Sequence, residues 1–207
     1  MRLLATITLL VLSASMLCSQ HYLSITGGAN YTDVQVNRGS GFFSFDGDYG
    51  YFTGLDYDYG LDSRWQLGMD VLYSVEQAHQ FNVINPDNTV TQFRYLRVAP
   101  HVGFDLFRGL VLTTGPEIGF DLGTRINDES TDAGWIDISD QYRTWLGGNV
   151  SLQVPITDYL LVISRYRFGL NNISTDVVQF TDDQGIPFDP KISSWGLQLG
   201  LAYRFEL

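Results

Sequence analysis

The chain has 207 residues, and 12 basic against 23 acidic residues give it a net charge of −11, which repels nucleic acid and excludes it as a partner. Charged residues make up 17%, below the roughly 25% of soluble domains, while aromatic residues reach 14% and Lys191 is the only lysine. A surface built to face bulk water is not made from that mixture.

Residues 1–20, MRLLATITLLVLSASMLCSQ, place Arg2 before an apolar stretch and small residues after it, the order of a secretory signal peptide. Cleavage is read after Ser19; bulky Leu17 directly before Cys18 argues against a lipidated N-terminus. Removing this segment leaves 21–207 as one domain without cysteine, so no disulfide framework is available. No later apolar run reaches the roughly 18 residues of a membrane helix.

From residue 21 onward the repeat has period two, the mark of a strand with unlike faces. A first, less regular strand runs from Tyr22 to Val36. In the second, Tyr51, Leu55, Tyr57 and Tyr59 alternate with Gly54, Asp56 and Asp58; in the third, Trp65, Leu67, Met69, Val71, Tyr73 and Val75 oppose Gln66, Gly68, Asp70, Leu72, Ser74 and Glu76. The fourth sets Leu96, Val98, Val102 and Phe104 against Arg97, His101 and Gly103. The fifth sets Leu112, Ile118, Phe120 and Leu122 against Glu117 and Asp121. The sixth sets Leu146, Val150, Leu152 and Val154 against Arg143, Asn149 and Gln153, and the seventh sets Val162, Tyr166, Phe168 and Leu170 against Arg165 and Arg167. The last is the clearest: Trp195, Leu197, Leu199, Leu201, Tyr203, Phe205 and Leu207 alternate with Gly196, Gln198, Gly200, Ala202, Arg204 and Glu206.

Connections at 60–64, 105–109 and 155–158 are short, and those at 37–48, 78–89, 124–139 and 172–193 are long. Short turns on one rim and long loops on the other predict an all-β, eight-stranded, antiparallel up-and-down transmembrane β-barrel with periplasmic turns. An interior that eight strands barely leave wide enough for side chains cannot hold all the large apolar residues, so these face lipid and the polar set faces inward. Tyr51, Tyr57, Tyr59, Trp65, Tyr73, Tyr142, Tyr159, Trp195 and Tyr203 are then read as girdles at the two headgroup levels.

Three segments resemble the PorT-like outer-membrane β-barrels of Bacteroidetes: 95–120, YLRVAPHVGFDLFRGLVLTTGPEIGF; 165–173, RYRFGLNNI; and the terminal WGLQLGLAYRFEL. The family's closing strand normally ends in an aromatic residue, whereas Glu206 and Leu207 follow Phe205 here. The resemblance implies a barrel and, more narrowly, accessory work in protein secretion. It also implies that Pro100 and Pro116, which cannot donate to a ladder, sit at tolerated positions such as bulges.

The inward face supplies the candidate site: Asp56, Asp58, Asp70, Glu76, Glu117, Asp121 and Glu206 with Arg97, His101, Arg143, Arg165, Arg167 and Arg204, read as a structural plug of paired charges. No catalytic residue, cofactor or metal ligand set is assigned. Nucleophilic catalysis needs a serine beside an activating histidine, and the spacing of a lipid A deacylase is absent at His21, His79 and His101. The acidic segments 127–140 and 174–189 do not match an EF-hand loop and are read as solvated, while Trp135, Phe180, Ile186 and Phe188 offer a surface to a partner. Asn172 heads a short glycosylation-like pattern of little specificity.

The leading reading is a closed, monomeric outer-membrane barrel with a structural or interaction role through its extracellular loops. Its expected partners are outer-membrane lipid and lipopolysaccharide, the barrel-assembly machinery and a protein at the loops. The alternatives are a lipid A-modifying enzyme and a soluble lipocalin-like ligand-binding barrel.

Overall fold

The computed structural model describes residues 20–37, 43–82, 89–128, 134–175, 180–181, 187–188 and 191–207. The signal segment expected over 1–20 lies outside them except for Gln20. Eight long strands form the wall: β1 (His21–Asn37), β2 (Phe43–Gly60), β3 (Trp65–Asn82), β4 (Thr89–Phe107), β5 (Leu110–Asp128), β7 (Trp145–Pro155), β8 (Leu160–Gly169) and β11 (Lys191–Glu206). Short pieces β6 (Trp135–Asp137), β9 (Phe180–Thr181) and β10 (Pro187–Phe188) belong to the long connections.

Each long strand pairs antiparallel with its neighbours along the chain, and β1 pairs with β11 from Tyr22↔Glu206 to Asn37↔Lys191, which closes the barrel. Among the described residues closure gives every long strand a partner on both sides, the condition for a strand wall in lipid. β2, β3, β4 and β5 run further toward the long-loop rim than period two alone indicates, because polar residues continue the ladder there; Phe43↔Asn82 and Thr89↔Asp128 are paired.

The tight rim is held by local chemistry. Asp62 accepts the backbone N–H groups of Arg64 (2.7 Å) and Trp65 (2.8 Å), which hold its carboxyl below the usual carboxylate range. Arg108 and Gly109, both at positive φ (51° and 81°), make the two-residue turn whose twist matches that of the strands it joins. The Gly109 N–H donates to the Asp105 carboxylate at 3.1 Å.

Pro100 and Pro116 do not sit at bulges. β4 and β5 pair at Val98↔Ile118 and again at Val102↔Thr114 with no change of register, which puts the two prolines opposite one another in an unpaired stretch. Neither ring can donate, so facing them across one rung confines the loss to a single place in the ladder. A groove of about 360 Å³ opens there, lined by residues including Leu67, Pro100, Val102 and Pro116.

The faces divide as volume requires. Leu55, Leu67, Met69, Leu112, Ile118, Leu146, Leu197, Leu199 and Leu201 are exposed on the outside, while Asp56, Asp70, Glu76, Arg97, His101, Arg165 and Arg167 are buried inside. This arrangement rules out the soluble barrel with an apolar interior. Aromatic pairs mark both rims: Trp65 with Phe104 (4.7 Å) and Tyr203 with Phe205 (4.9 Å) at the tight-turn end, and Tyr31 with Tyr49 (5.4 Å) and Trp195 (6.0 Å) toward the other. Tyr142 is not a girdle residue, because it packs edge-on against Phe93 at 5.0 Å in the outer part of the lumen.

Leu199, 62% exposed in the middle of β11, tests the assignment of the outer face. Leu199→Arg is expected to lower folding stability in lipid vesicles by about 2–4 kcal/mol, read by urea unfolding. An effect near zero would mean that this face meets water.

Candidate functional site

The lumen is filled at three levels. At the outer end, Val34, Ala78, Phe93, Tyr95, Trp145, Ile173 and Ile192 form a buried apolar cluster with Tyr142 against it. The segment after β8 is folded back to build it: Arg143 N–H donates to the Ile173 carbonyl (2.8 Å), and Ile173 N–H to that of Ile192 (2.9 Å). Asn172 Oδ1 accepts from Ser174 N–H (3.1 Å) and Ile192 N–H (2.8 Å), so this side chain fastens the cap. Burial pushes the Tyr142 phenol up to about 12, which keeps it neutral under the cap.

Below the cap lies the first charge cluster. Glu76 Oε1 accepts from Arg97 Nε (3.0 Å), Arg167 Nη1 (2.8 Å) and Ser74 Oγ (2.8 Å), with Arg97 Nη2 2.7 Å away as an ion pair, and Glu117 Oε1 accepts from Arg97 Nη1 (2.9 Å). The Arg97 guanidinium also lies 4.6 Å from the Tyr95 ring and 4.5 Å from that of Trp145. Its 1% exposure makes these partners a requirement, since an unpaired guanidinium buried so deeply would destabilise the fold severely.

The second cluster lies toward the tight-turn rim. Arg165 Nη2 stands 2.6 Å from Asp70 Oδ2, and His101 stands between Asp58 (Nε2 to Oδ1, 3.1 Å) and Asp70 (Nδ1 to Oδ2, 3.4 Å). Gln66 Nε2 donates to Asp58 Oδ1 at 2.9 Å, and Arg204 Nη2 comes to 3.5 Å of Asp58 Oδ2. Asp56, on the strand beside Asp70, completes the group.

Ten of the thirteen sequence-assigned charges therefore enter the two clusters: Asp56, Asp58, Asp70, Glu76, Arg97, His101, Glu117, Arg165, Arg167 and Arg204. Three stand apart. Arg143 is exposed and precedes the first residue of β7, and the inward position it was assigned belongs to Trp145 two residues on. Glu206 is exposed at the last position of β11. Asp121 is partly buried beside a register shift, where its carboxylate accepts from Gly123 N–H (3.0 Å) and Thr124 Oγ1 (3.3 Å).

The apolar cap was not identified from sequence. The run of Trp145 among residues of one inward parity was the available signal, but period two cannot rank a tryptophan as lumenal where it sits beside Leu146 on the lipid face. On the outer rim, Trp135 and Ile136 are exposed in β6, and the Arg125 guanidinium lies 5.1 Å from the Trp135 ring. Asp137 accepts from Ser139, which holds its carboxyl below the usual range. Ile186 lies outside the described residues.

No family model matches the chain, and no curated protein matches it in sequence. Solved structures do. Ail, the attachment invasion locus protein of Yersinia pestis, solved with the heparin analogue sucrose octasulfate, is 15% identical with a TM-score of 0.52, covering 90% of this chain and 99% of Ail. Neisserial surface protein A is 13% identical at 0.50, covering 89% and 97%. The outer membrane protein OprG of Pseudomonas aeruginosa is 13% identical at 0.47, covering 90% and 96%. The chain has the fold of the outer-membrane β-barrels.

Removing Arg97 tests how the upper cluster is held. Arg97→Met is expected to cost about 3–5 kcal/mol in urea unfolding from vesicles, because Glu76 and Glu117 then share Arg167 alone. Arg97→Met with Glu117→Gln, which restores the charge balance, should recover most of that loss. Equal losses in the two variants would mean that the site is held by shape and not by charge.

Proposed function

We propose that this protein is a non-catalytic outer-membrane barrel that works through what its outer rim binds. The observation that carries this reading is the filled lumen: an apolar cap above two clusters of paired charges leaves the rim as the place where a partner can be met. The rim's chemistry narrows the partner. Segment 127–140 carries Asp128, Glu129, Asp132, Asp137 and Asp140, and segment 174–189 carries Asp176, Asp182, Asp183 and Asp189, with no basic residue in either. Segments of that charge favour a basic partner over a polyanion. Ail was solved with the heparin analogue sucrose octasulfate; the acidic segments of this chain predict the opposite preference. Exposed Trp135 and Ile136 supply apolar area at the same rim.

The resemblance of three strands to the PorT-like barrels supports a narrower version in which the partner belongs to a protein-secretion apparatus. A deletion strain that secretes its usual proteins in full would remove that version and leave the broader one standing.

The purified barrel in detergent is expected to capture an oligo-arginine peptide in a salt-dependent manner and not to bind sucrose octasulfate. Replacing Asp128, Glu129 and Asp132 by their amides should weaken peptide capture several-fold. Preference for the polyanion, or unchanged capture by the neutralised variant, would overturn this reading.

A further inference from the structure

We propose that Asp56, Asp70 and His101 form a site for one divalent first-row transition-metal ion in the tight-turn half of the lumen. Asp56 of β2 and Asp70 of β3 are direct cross-strand partners on the inner face, and His101 follows one residue pair along on β4, opposite Gly68. Like charges placed directly opposite one another repel unless a cation lies between them. One ligand atom from each of the three residues falls within 4.8 Å of the other two. Metal–oxygen and metal–nitrogen bonds of roughly 2.0–2.2 Å put tetrahedral ligands about 3.4 Å apart, so binding would draw the three ligand atoms closer together.

A second observation points the same way. Asp56 is 98% buried on its 2% exposure, and its Oδ1 has no hydrogen-bond partner; neither has Oδ1 of Asp70, whose other oxygen is held by Arg165. Two orphaned carboxylate oxygens in one sealed cluster are costly unless a cation satisfies both. A proton on His101 does not do so, because the imidazole faces Asp58 with Nε2 and Asp70 Oδ2 with Nδ1. The Nδ1 contacts, 3.4 Å to Asp70 and 3.3 Å to the Ala99 carbonyl, lie at the long end of hydrogen bonding, and a metal bond at this nitrogen would replace them.

The surroundings are those of a supported ligand set. A metal-binding histidine commonly donates its other N–H to a carboxylate, and Asp58 stands 3.1 Å from Nε2, itself fixed by Gln66 at 2.9 Å. Gly68 makes room for this pair: a Cβ there would come within 2.2 Å of His101 Nε2 and 2.5 Å of Asp58 Oδ1. Two carboxylate oxygens with one imidazole suit manganese, iron, cobalt or zinc.

The test uses the full barrel, free of any histidine tag, purified in detergent, stripped with EDTA and titrated with Co²⁺ or Zn²⁺. One ion per chain is expected by elemental analysis, with a cobalt d–d absorption band. Asp56→Asn, close in shape and relieved of one charge in a crowded cluster, should weaken binding more than 100-fold while still shifting on a heat-modifiability gel. Asp58→Asn should weaken it about 10–100-fold through the histidine, and Asp121→Asn should leave it unchanged. Metal-free wild-type barrel after titration, or Asp56→Asn binding as tightly as wild type, would overturn the site and leave a proton as the balancing charge.

Discussion

A closed wall of eight strands gives the chain an interior of fixed and narrow width, and most described side chains that point inward are buried away from water and lipid alike. Whatever is polar there must find its partner among the other inward residues. Arg97 shows how far this goes: two glutamates take its N–H groups, and two aromatic rings flank its plane. The lysine-poor composition follows from the same constraint. A planar guanidinium can bridge several carboxylates at once, as Arg97 and Arg167 do around Glu76 and Glu117, and a lysine ammonium cannot do so with the same geometry.

Most of the wall was legible in the sequence because period two reports the face of each residue directly. Leu199 and Leu201 outside with Gln198 and Gly200 inside could be read without coordinates, and so could the inward placement of most of the acidic residues and arginines, though not which pairs with which. Parity does not report where a ladder begins or ends, and the misplaced residues lie at such ends. Arg143 has inward parity but lies before the first rung of β7, and Glu206 has it at the last position of β11. The same blindness hid the extension of the strands toward the long-loop rim, where the ladder continues through polar residues such as Thr89 and Asp128.

Other features depend on pairs of positions distant in the chain, which no local pattern contains. Pro100 and Pro116 each read as a fault in a strand, and only register shows that they face one another and share one gap. Trp145, Ile173 and Ile192 are far apart in the chain and meet only when the segment after β8 turns back over the barrel mouth. Asp56 and Asp70 are each unremarkable on an inward face, and their significance comes from being cross-strand partners with a histidine beside them.

The barrel thus divides its chemistry by location, with buried charges and the cap inside and Trp135, Ile136, Asp137 and Asp140 exposed at the outer rim. The most direct test of that division is current through the purified barrel in a planar lipid bilayer at moderate salt. A closed lumen is expected to insert without stable conductance steps. Steady, reproducible open-channel steps from the wild-type protein would contradict it, since they would require a continuous water path past Arg97 and the Trp145 cap.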